Sequence, residues 1–167
     1  NKKTVWVLQC DIRRFFDSVD HGILRSLIRK KIYDEKAINL IAHIIESFHV
    51  EENKGMPLGN VTSQLFSNIY LDPFDQFIKR ILREKYYVRY ADDFVVLSRE
   101  KQYLQNLIFV INKFLKEKLA LGLHPGKIIV RKWSQGIDFL GYILFPYYTI
   151  VRTKTKRRIF QKLMKRK

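Results

Sequence analysis

The stretch that decides the fold of this chain is Tyr90-Ala91-Asp92-Asp93-Phe94, in which two adjacent carboxylates lie between two apolar runs. The runs, residues 86–90 and 94–97, are rich in Val, Tyr and Phe, which is typical of short strands. The pattern therefore predicts a β-hairpin that holds Asp92 and Asp93 near its turn. Two like charges about 4 Å apart repel by about 4 kcal/mol at an effective dielectric of about 20, and a divalent cation is the usual compensation.

A third carboxylate, Asp11, changes the interpretation of this pair. By itself, an Asp-Asp sequence is a common solvated turn. Asp11, however, follows another strand-like run, residues 5–10. Three carboxylates at the ends of two strands are what a two-metal phosphoryl-transfer site needs, because one metal activates the attacking oxygen and the other stabilises the leaving group. We therefore expect Asp11, Asp92 and Asp93 to converge at one edge of a sheet.

The composition is that of a single domain with a hydrophobic core, since 47% of the 167 residues are hydrophobic. The one cysteine, Cys10, excludes an internal disulfide and a cysteine-based zinc site, and it is better explained as a small buried residue than as a nucleophile. No run approaches the roughly 18 apolar residues of a membrane span. We therefore expect a cytoplasmic protein in a reducing compartment, with no membrane partner.

The net charge of +16 is concentrated towards the carboxyl end. Residues 127–167 hold 12 of the 32 Lys and Arg residues but only one of the 16 acidic residues, Asp138. Clustering of one sign favours a polyanionic partner, whereas a solvated helix face usually carries both signs. Nucleic acid is the favoured partner, and a membrane surface is the lesser alternative. The residues expected to contact a nucleic-acid backbone are Arg152, Lys154, Lys156, Arg157, Arg158 and Lys162.

Capping residues and apolar periodicity predict the remaining elements. Asp20 and Asp34 precede two amphipathic segments as N-caps. Pro73 lies inside a third helical pattern, which we expect it to kink or break. The order of elements predicts an α+β fold with helices packed on one face of an antiparallel sheet. The predicted helices cover residues 21–31, 62–82, 100–118 and 155–167, and a further helix begins after Asp34. The predicted strand pairs join residues 127–130 with 138–142 and residues 143–145 with 149–152.

Five stretches of the chain carry, in order, the motifs of one family. They are DIRRFFDSVDH (residues 11–21), PLGNVTSQLFSNIYL (57–71), YADD (90–93), HPGK (124–127) and FLGY (139–142). The ordered set resembles the palm of a reverse transcriptase, although any one stretch alone is a weak signal. The resemblance implies a polymerase palm fold and an RNA-directed DNA polymerase, with an RNA template, a DNA primer and dNTPs as partners.

The resemblance implies a role for each residue of the expected metal site. Asp11 and Asp92 would ligate two Mg²⁺ ions, for which Mn²⁺ is a substitute, and Asp93 would complete the site. The main-chain carbonyl of Ile12 is a further implied ligand. Lys127 matches the proton donor to the leaving pyrophosphate, and a phosphate-binding or solvated lysine is an equal alternative.

Contacts to nucleotide, template and primer are also implied. Phe16, five residues after Asp11, matches the bulky residue that selects deoxynucleotides by excluding a 2′-hydroxyl, and a core aromatic is the alternative. For the neighbouring Phe15 the core interpretation is the better one. Gly59 would let the backbone approach the nascent base pair. The implied nucleotide and template contacts are Arg14, Phe15, Phe16, Leu58, Gly59 and Gln64, and the implied primer grip is Phe139, Leu140 and Gly141.

Departures from the general family pattern indicate a subfamily. Most reverse transcriptases have Gln-Gly where this chain has Leu58-Gly59, and Ser-Pro where it has Ser63-Gln64. The combination resembles the enzymes of diversity-generating retroelements, which copy a template RNA with frequent errors opposite adenine. Related bacterial enzymes of the group II intron and retron type are the next most similar. The resemblance therefore implies error-prone synthesis.

The resemblance also divides the chain. Residues 1–152 match the palm, with the fingers region largely absent, and residues 153–167 match the start of a truncated basic thumb helix. We therefore expect this stretch to be inactive alone, and an accessory protein is a further partner that the sequence does not identify. A non-catalytic nucleic-acid-binding module is the alternative function. Nucleotide cyclases share a palm-like fold, but they would not explain the Ser63-Gln64 helix or the basic tail.

Overall fold

The computed structural model describes residues 4–57, 59 and 61–165. Its strands and helices follow one another in nearly the predicted order. Their bounds are β1 (Trp6–Asp11), α1 (Phe15–Ser18), α2 (His21–Arg29), α3 (Glu35–Glu46), α4 (Val61–Gln76), a π-helical segment (Phe77–Ile81), β2 (Tyr87–Tyr90), β3 (Asp93–Ser98), α5 (Lys101–Leu119), β4 (Ile129–Lys132), β5 (Ile137–Phe139), β6 (Tyr142–Leu144), β7 (Thr149–Val151) and α6 (Thr153–Met164).

The first four strands form one antiparallel sheet in the order β2-β3-β1-β4. β2 and β3 are the hairpin predicted around the paired aspartates, and their register places Tyr90 opposite Asp93. β1 pairs with β3 so that Asp11 also lies opposite Asp93. Because β1 and β3 are the central strands, these two carboxylates are carried by the part of the sheet with neighbours on both sides.

The two faces of this sheet pack against different layers. Alternate side chains of the central strands, such as Leu8 and Phe94, are fully buried in the main core with residues of α2, α4 and α5. The opposite face carries Val7 and Val95, which pack against the side chains of β5. The predicted α+β palm class, with helices on one face of an antiparallel sheet, is therefore confirmed, and a small second sheet covers part of the other face.

One of the two strand pairings predicted after α5 is wrong. Residues 127–130 were expected to pair with 138–142, but β4 joins the main sheet beside β1, with Val130 opposite Leu8. β5 pairs with β6, and β6 pairs with β7 as predicted. Gly136 lies where the chain changes direction before β5, and its φ of +81° favours glycine. Any larger residue would also be too close to β6, because a Cβ at this position would lie 2.7 Å from a β6 side chain. Alternating hydrophobicity shows that a strand face is buried but does not identify the partner.

Local signals located the helices well, except at the internal proline. The side chains of Asp20 and Asp34 each accept a hydrogen bond from the amide three residues later, at 2.9 and 2.7 Å, so both predicted N-caps are confirmed. Of the kink or break predicted at Pro73, the break does not occur, because α4 continues through it to the π-helical segment. Leu71 and Phe74 beside it are fully buried, so tertiary packing outweighs the missing donor.

The basic helix α6 begins at Thr153, two residues before its predicted start. Its described side chains are exposed, apart from the half-buried Thr155. Arg166 and Lys167, which belong to the predicted helix, lie outside the described residues. Of the helices described here, none combines the length and the apolar character that crossing a membrane requires.

Cys10 is a core residue, as predicted. Its side chain is completely buried on the helix-facing side of β1. Burial, and then the charge of the adjacent Asp11, raise the pKa of the Cys10 thiol to about 12. The thiolate, which is the reactive form, is therefore disfavoured, and a nucleophilic role is excluded.

Candidate active site

The three aspartates meet where β1 ends and the β2–β3 hairpin turns. Asp11 is the last residue of β1 and lies opposite Asp93, the first residue of β3. Asp92 lies in the turn itself, and its carbonyl accepts a hydrogen bond from the amide of Ile12 at 3.1 Å. Ala91 adopts a left-handed conformation, with a φ of +50°, which lets the turn close in so few residues. The local sequence thus brings the acidic groups to one edge of the sheet.

The acidic groups repel one another, and one lysine partly compensates them. Burial, followed by the charges of Asp11 and Asp92, raises the pKa of Asp93 to about 6. Burial and the charge of Asp11 also raise the pKa of Asp92. The ammonium of Lys127 lies 2.6 Å from a carboxylate oxygen of Asp11, and this hydrogen bond raises the pKa of Lys127. Lys127 is the cation whose charge opposes the raised pKa values of Asp92 and Asp93, and its single charge does not balance three carboxylates.

The donor chemistry of this cluster fits a hard divalent cation. Within the part of the chain that the structure describes, no three His, Cys, Asp or Glu side chains are already arranged to hold a metal ion. Lys127 occupies one oxygen of Asp11, so a metal ion would bind the other oxygen or displace that ammonium. Carboxylate oxygens are the ligands that Mg²⁺ prefers. Burial, and then the negative charge of Asp11, raise the pKa values of Asp92 and Asp93, and a bound cation would oppose both effects.

We expect the metal-free protein to lose stability as the pH rises towards neutrality. The pKa of Asp93 is about 6 in the folded chain against an ordinary 3.8, so the folded state binds this proton more tightly than the unfolded state does. The stability that this proton contributes is full below pH 3.8 and is lost as the pH rises to about 6. Urea unfolding at a series of pH values between 3.8 and about 6 measures this loss of unfolding free energy.

Added Mg²⁺ should stabilise the protein at about pH 7.5 and much less at about pH 4.

Two variants test whether Asp93 carries this pH dependence. Asp93→Asn removes the titrating carboxyl and should flatten the fall in unfolding free energy between pH 3.8 and about 6. Asp72→Asn, at an exposed aspartate of α4, is the matched control and should leave the dependence unchanged. The same steep fall in both variants would contradict the assignment of the raised pKa to Asp93.

The two aromatic residues after Asp11 have different environments. Phe15 is 1% exposed, and its ring centroid lies 5.2 Å from that of Phe16 and 6.2 Å from that of Tyr70. Its side chain belongs to the core, which fits the better of the two interpretations and does not support a side-chain contact to nucleotide. Phe16 is half-buried and remains a candidate gate. Arg14, also implied as a contact, is exposed and has a left-handed φ of +45°.

The segment before α4 is described only in part. Gly59 has a φ of +82°, which favours glycine, and a Cβ there would meet no atom within 4 Å. Its surroundings are therefore open, as a close backbone approach by a ligand requires. Gln64 is exposed on the first turn of α4. Leu58 lies outside the described residues, and its implied template contact stays a prediction.

The implied primer grip combines one core residue with an exposed turn. Phe139 is 9% exposed and its side chain packs in the core shared by the two sheets, so its implied primer contact stays a prediction that the side chain does not support. Leu140 and Gly141 form the turn between β5 and β6, with φ values of +52° and +83°. Leu140 is exposed, and a Cβ on Gly141 would lie 3.1 Å from the hydroxyl of Thr155. The turn therefore lies directly against α6.

Two adjoining cavities connect the aspartates with the basic helix. One, of about 640 Å³, is lined by Asp11, Asp93 and Lys127 together with residues of β4 and β5–β6. The other, of about 1030 Å³, lies beside α6. Both are lined by Leu140, Gly141, Ile143 and Arg152, so they adjoin, and the two together are called the groove below. Of the expected backbone contacts, Arg152, Lys154, Arg157 and Arg158 line the groove, whereas Lys156 and Lys162 are not among its lining residues.

Sequence reasoning missed two groove residues, Gln9 on β1 and Arg131 on the edge strand β4. Gln9 and Arg131 line the cavity of about 640 Å³ with the aspartates. Gln9 also donates a hydrogen bond of 2.6 Å to the carbonyl of Asp138, whose carboxylate pairs with Arg152 at 3.1 Å. The available signal was alternation, because Gln9 lies two residues before Asp11 and shares its sheet face. No local pattern placed Arg131 there, since its strand had been paired wrongly.

An antiparallel sheet with helices on one face and aspartates at the hairpin edge defines a polymerase palm. The sequence matches the reverse transcriptase (RNA-dependent DNA polymerase) family over residues 1–144. This chain therefore belongs to the reverse transcriptase family. Among solved structures, apo telomerase from Candida tropicalis, truncated from its C-terminal domain, superposes with a TM-score of 0.66 at 15% identity, covering 89% of this chain and 35% of that one. The similarity at this identity shows the fold.

Curated relatives include proteins encoded by introns. Group II intron-encoded protein LtrA from Lactococcus lactis subsp. cremoris is 27% identical over 205 residues, which cover 82% of this chain and 34% of LtrA. Protein YkfC from Escherichia coli is 27% identical over 177 residues, covering 83% of this chain and 46% of YkfC. The putative COX1/OXI3 intron 2 protein of Saccharomyces cerevisiae is 23% identical, with 23% of its length covered. The chain thus spans less than half of each of these relatives.

Proposed function

We propose that this chain is the catalytic palm of an RNA-directed DNA polymerase. It transfers a nucleotide from a dNTP to the 3′-hydroxyl of a DNA primer paired with an RNA template. The observation that carries the proposal is the convergence of Asp11, Asp92 and Asp93 at the hairpin edge of a palm sheet. Membership of the reverse transcriptase family supports the choice of template and product.

In the proposed reaction the carboxylates hold two Mg²⁺ ions, or Mn²⁺ in their place. Asp11 and Asp92 would bind both ions, with Asp93 and the carbonyl of Ile12 as further ligands. When bound, the ions supply activation of the attacking hydroxyl and stabilisation of the leaving pyrophosphate. Bound cations would also oppose the burial and the repulsion that raise the pKa values of Asp92 and Asp93.

In this proposal Lys127 is the proton donor, and its contact with Asp11 supports that role. Its side chain is 56% exposed, so it is free to move once Asp11 binds metal. The turn Pro125–Lys127 holds its backbone, because the amide of Lys127 donates to the carbonyl of His124 at 3.0 Å. An ordinary lysine is protonated at neutral pH, so the Nζ of Lys127 would carry a proton to donate to a pyrophosphate oxygen.

Primer extension by the full protein tests the function. DNA synthesis is expected on an RNA template with dNTPs and Mg²⁺, and a chelator should abolish it. A non-catalytic nucleic-acid-binding module would instead bind the template equally well with and without metal and would extend nothing. That second outcome would overturn the proposed catalytic role.

We expect α6 to contribute phosphate contacts of low sequence specificity. Arg157 and Arg158 line the groove that leads to the aspartates, and Lys162 lies one turn further along the exposed helix. Replacing these three residues by Gln should make the slope of log affinity against log salt shallower by about 2 to 3, because each phosphate contact contributes about 0.7 to 0.9. Filter binding across a salt series measures the slope.

Three lysines on the helix-covered side provide the matched control. Lys30, Lys31 and Lys36 are exposed in and around α2 and α3, and none lines the groove. Their replacement by Gln removes the same formal charge but should leave the slope nearly unchanged. Equal changes in both triple variants would mean that overall charge, and not α6, sets the salt dependence.

We further propose that synthesis is error-prone and belongs to a retroelement. Leu58-Gly59 and Ser63-Gln64 replace the Gln-Gly and Ser-Pro of most reverse transcriptases, and this pattern supports the diversity-generating type. A leucine offers shape without hydrogen bonds, so the site penalises a mispaired base less. A pair of near-duplicate repeats beside the gene, differing mainly at adenines, would support this subtype. An accessory protein would be a further component.

A further inference from the structure

Arg89 links the aspartate hairpin to the helix layer through several hydrogen bonds. Its side chain is 8% exposed. Its Nε and Nη2 donate to the two carboxylate oxygens of Asp75 on α4, at 2.8 and 2.5 Å. Its Nη1 donates to the carbonyl of Ala91 at 3.0 Å, and the side-chain oxygen of Asn68 is 3.5 Å away. One guanidinium thus connects α4 with the turn that carries Asp92.

The position of Arg89 on β2 explains why it reaches α4. β2 is the edge strand of the sheet and has β3 as its one neighbour. Tyr87 and Arg89 alternate with the exposed Val88 and Tyr90, so the first pair faces the helices. The hydroxyl of Tyr87 also donates to Asp75, at 2.6 Å. A four-residue edge strand has few ladder hydrogen bonds of its own, and these side chains anchor it.

The turn beyond Arg89 is held from two sides. The carbonyl of Ala91 accepts from Arg89, and the carbonyl of Asp92 accepts from the amide of Ile12 at 3.1 Å. Ala91 has a φ of +50°, a conformation that L-residues adopt only when their surroundings impose it. The bond from Arg89 is therefore one of the contacts that impose this conformation, and with it the directions of the Asp92 and Asp93 side chains.

The charge of Arg89 does not act on the aspartates directly. Burial and the charges of Asp11 and Lys127 account for the pKa shifts of Asp92 and Asp93, together with their own interactions, and Arg89 does not contribute. Its charge is matched by Asp75 in a two-point ion pair. The contribution of Arg89 is therefore geometric. A planar guanidinium has several N–H donors, so one side chain can bond to acceptors on α4 and on the hairpin turn together.

We propose that Arg89, fixed by Asp75, is a positioning residue that holds the Asp92–Asp93 turn in its metal-binding geometry. The proposal rests on the function proposed above, because it concerns the same site. The proposal adds a specific requirement, which is a guanidinium that donates to Asp75 and to the Ala91 carbonyl at the same time. A lysine at this position keeps the charge but offers a single point of attachment.

The decisive variant is Arg89→Lys in the full protein, compared with Tyr87→Phe. Tyr87→Phe removes a different hydrogen bond to the same Asp75 carboxylate and leaves the bond to Ala91 intact. Arg89→Lys should speed hydrogen exchange in the peptide over residues 90–94 by about tenfold and weaken Mn²⁺ binding, followed by electron paramagnetic resonance, by about tenfold. It should lower kcat about tenfold with the KM for dNTP nearly unchanged. Tyr87→Phe should change each quantity by less than about twofold.

The readouts separate this proposal from the proposed function. If the wild-type protein makes no DNA, the function fails, while hydrogen exchange and Mn²⁺ affinity still decide the role of Arg89. Unchanged exchange in Arg89→Lys, or an equal effect of Tyr87→Phe, would overturn the positioning role. Should Arg89→Lys not fold, Asp75→Asn weakens the same attachment while keeping a hydrogen-bonding side chain, and it should show the same pattern in reduced size. A normal turn and normal Mn²⁺ affinity in that variant would equally overturn the proposal.

Discussion

Asp92→Asn is expected to lower primer extension by the full protein at least about a thousandfold, since charge stabilisation by metal is worth several kcal/mol and each about 1.4 kcal/mol is tenfold in rate. Asparagine keeps the shape of the side chain but removes the charge that a metal ion needs. Asp92 lies in the hairpin turn, and the Ile12 amide bonds its backbone carbonyl, so the turn itself should persist. Single-turnover extension assays measure the loss.

The same variant should fold and should bind template normally. The pKa of Asp92 is raised by burial and by Asp11, so a neutral residue removes a repulsion in the metal-free protein. Its unfolding free energy at neutral pH should therefore equal or exceed that of the wild type. Asp72→Asn on α4 is the matched control and should extend primers normally. Substantial extension by Asp92→Asn would contradict the catalytic assignment.

Phe16→Ala is expected to raise ribonucleotide incorporation relative to deoxynucleotide incorporation by about 10- to 100-fold. The physical reason is steric, because overlap with a packed side chain costs about 1–3 kcal/mol and truncation removes it. Phe16 is half-buried and its ring packs edge-on against Phe15, which the core fixes. Its carbonyl accepts from the amide of Met56 at 2.7 Å, so the backbone should stay in place when the ring is removed. Competition between dNTP and rNTP at one template position measures the ratio.

Phe16→Leu provides the conservative comparison. Leucine keeps a bulky wall, so this variant should retain most of the selectivity against ribonucleotides, while Phe16→Ala loses it. A loss of incorporation that is equal for both sugars in Phe16→Ala would mean that Phe16 serves packing alone. Measured unfolding free energies of the two variants separate reduced stability from altered selectivity.

The sequence alone determined those features that depend on neighbouring residues. Asp20 and Asp34 identified two helix starts because an N-cap needs only the amides of the following turn. The hairpin of residues 86–97 was predictable because apolar runs around a short turn pair locally. The ordered motifs indicated the family for the same reason, since each is a continuous stretch, and the match over residues 1–144 bears this out.

The neighbouring residues Phe15 and Phe16 show where local sequence stops being sufficient. Both are phenylalanines of the short helix α1, yet one is sealed in the core and the other is half-buried. Phe15 packs in the main core, where one of its neighbours is Tyr70, which lies far along the chain. Burial of a given ring is thus set by the direction in which distant elements approach it.

Only the tertiary structure decided the partners of β4 and Arg89. β4 pairs with β1, more than a hundred residues earlier, and a period of two carries no information about which strand lies alongside. Arg89 stands beside the aspartate motif, but its acceptor Asp75 is on α4, and no spacing rule joins a strand to a helix across a core. The β4–β1 pairing and the Arg89–Asp75 ion pair form only when the sheet and the helices pack together. Their geometry depends on the whole fold, so no single segment of sequence predicts them.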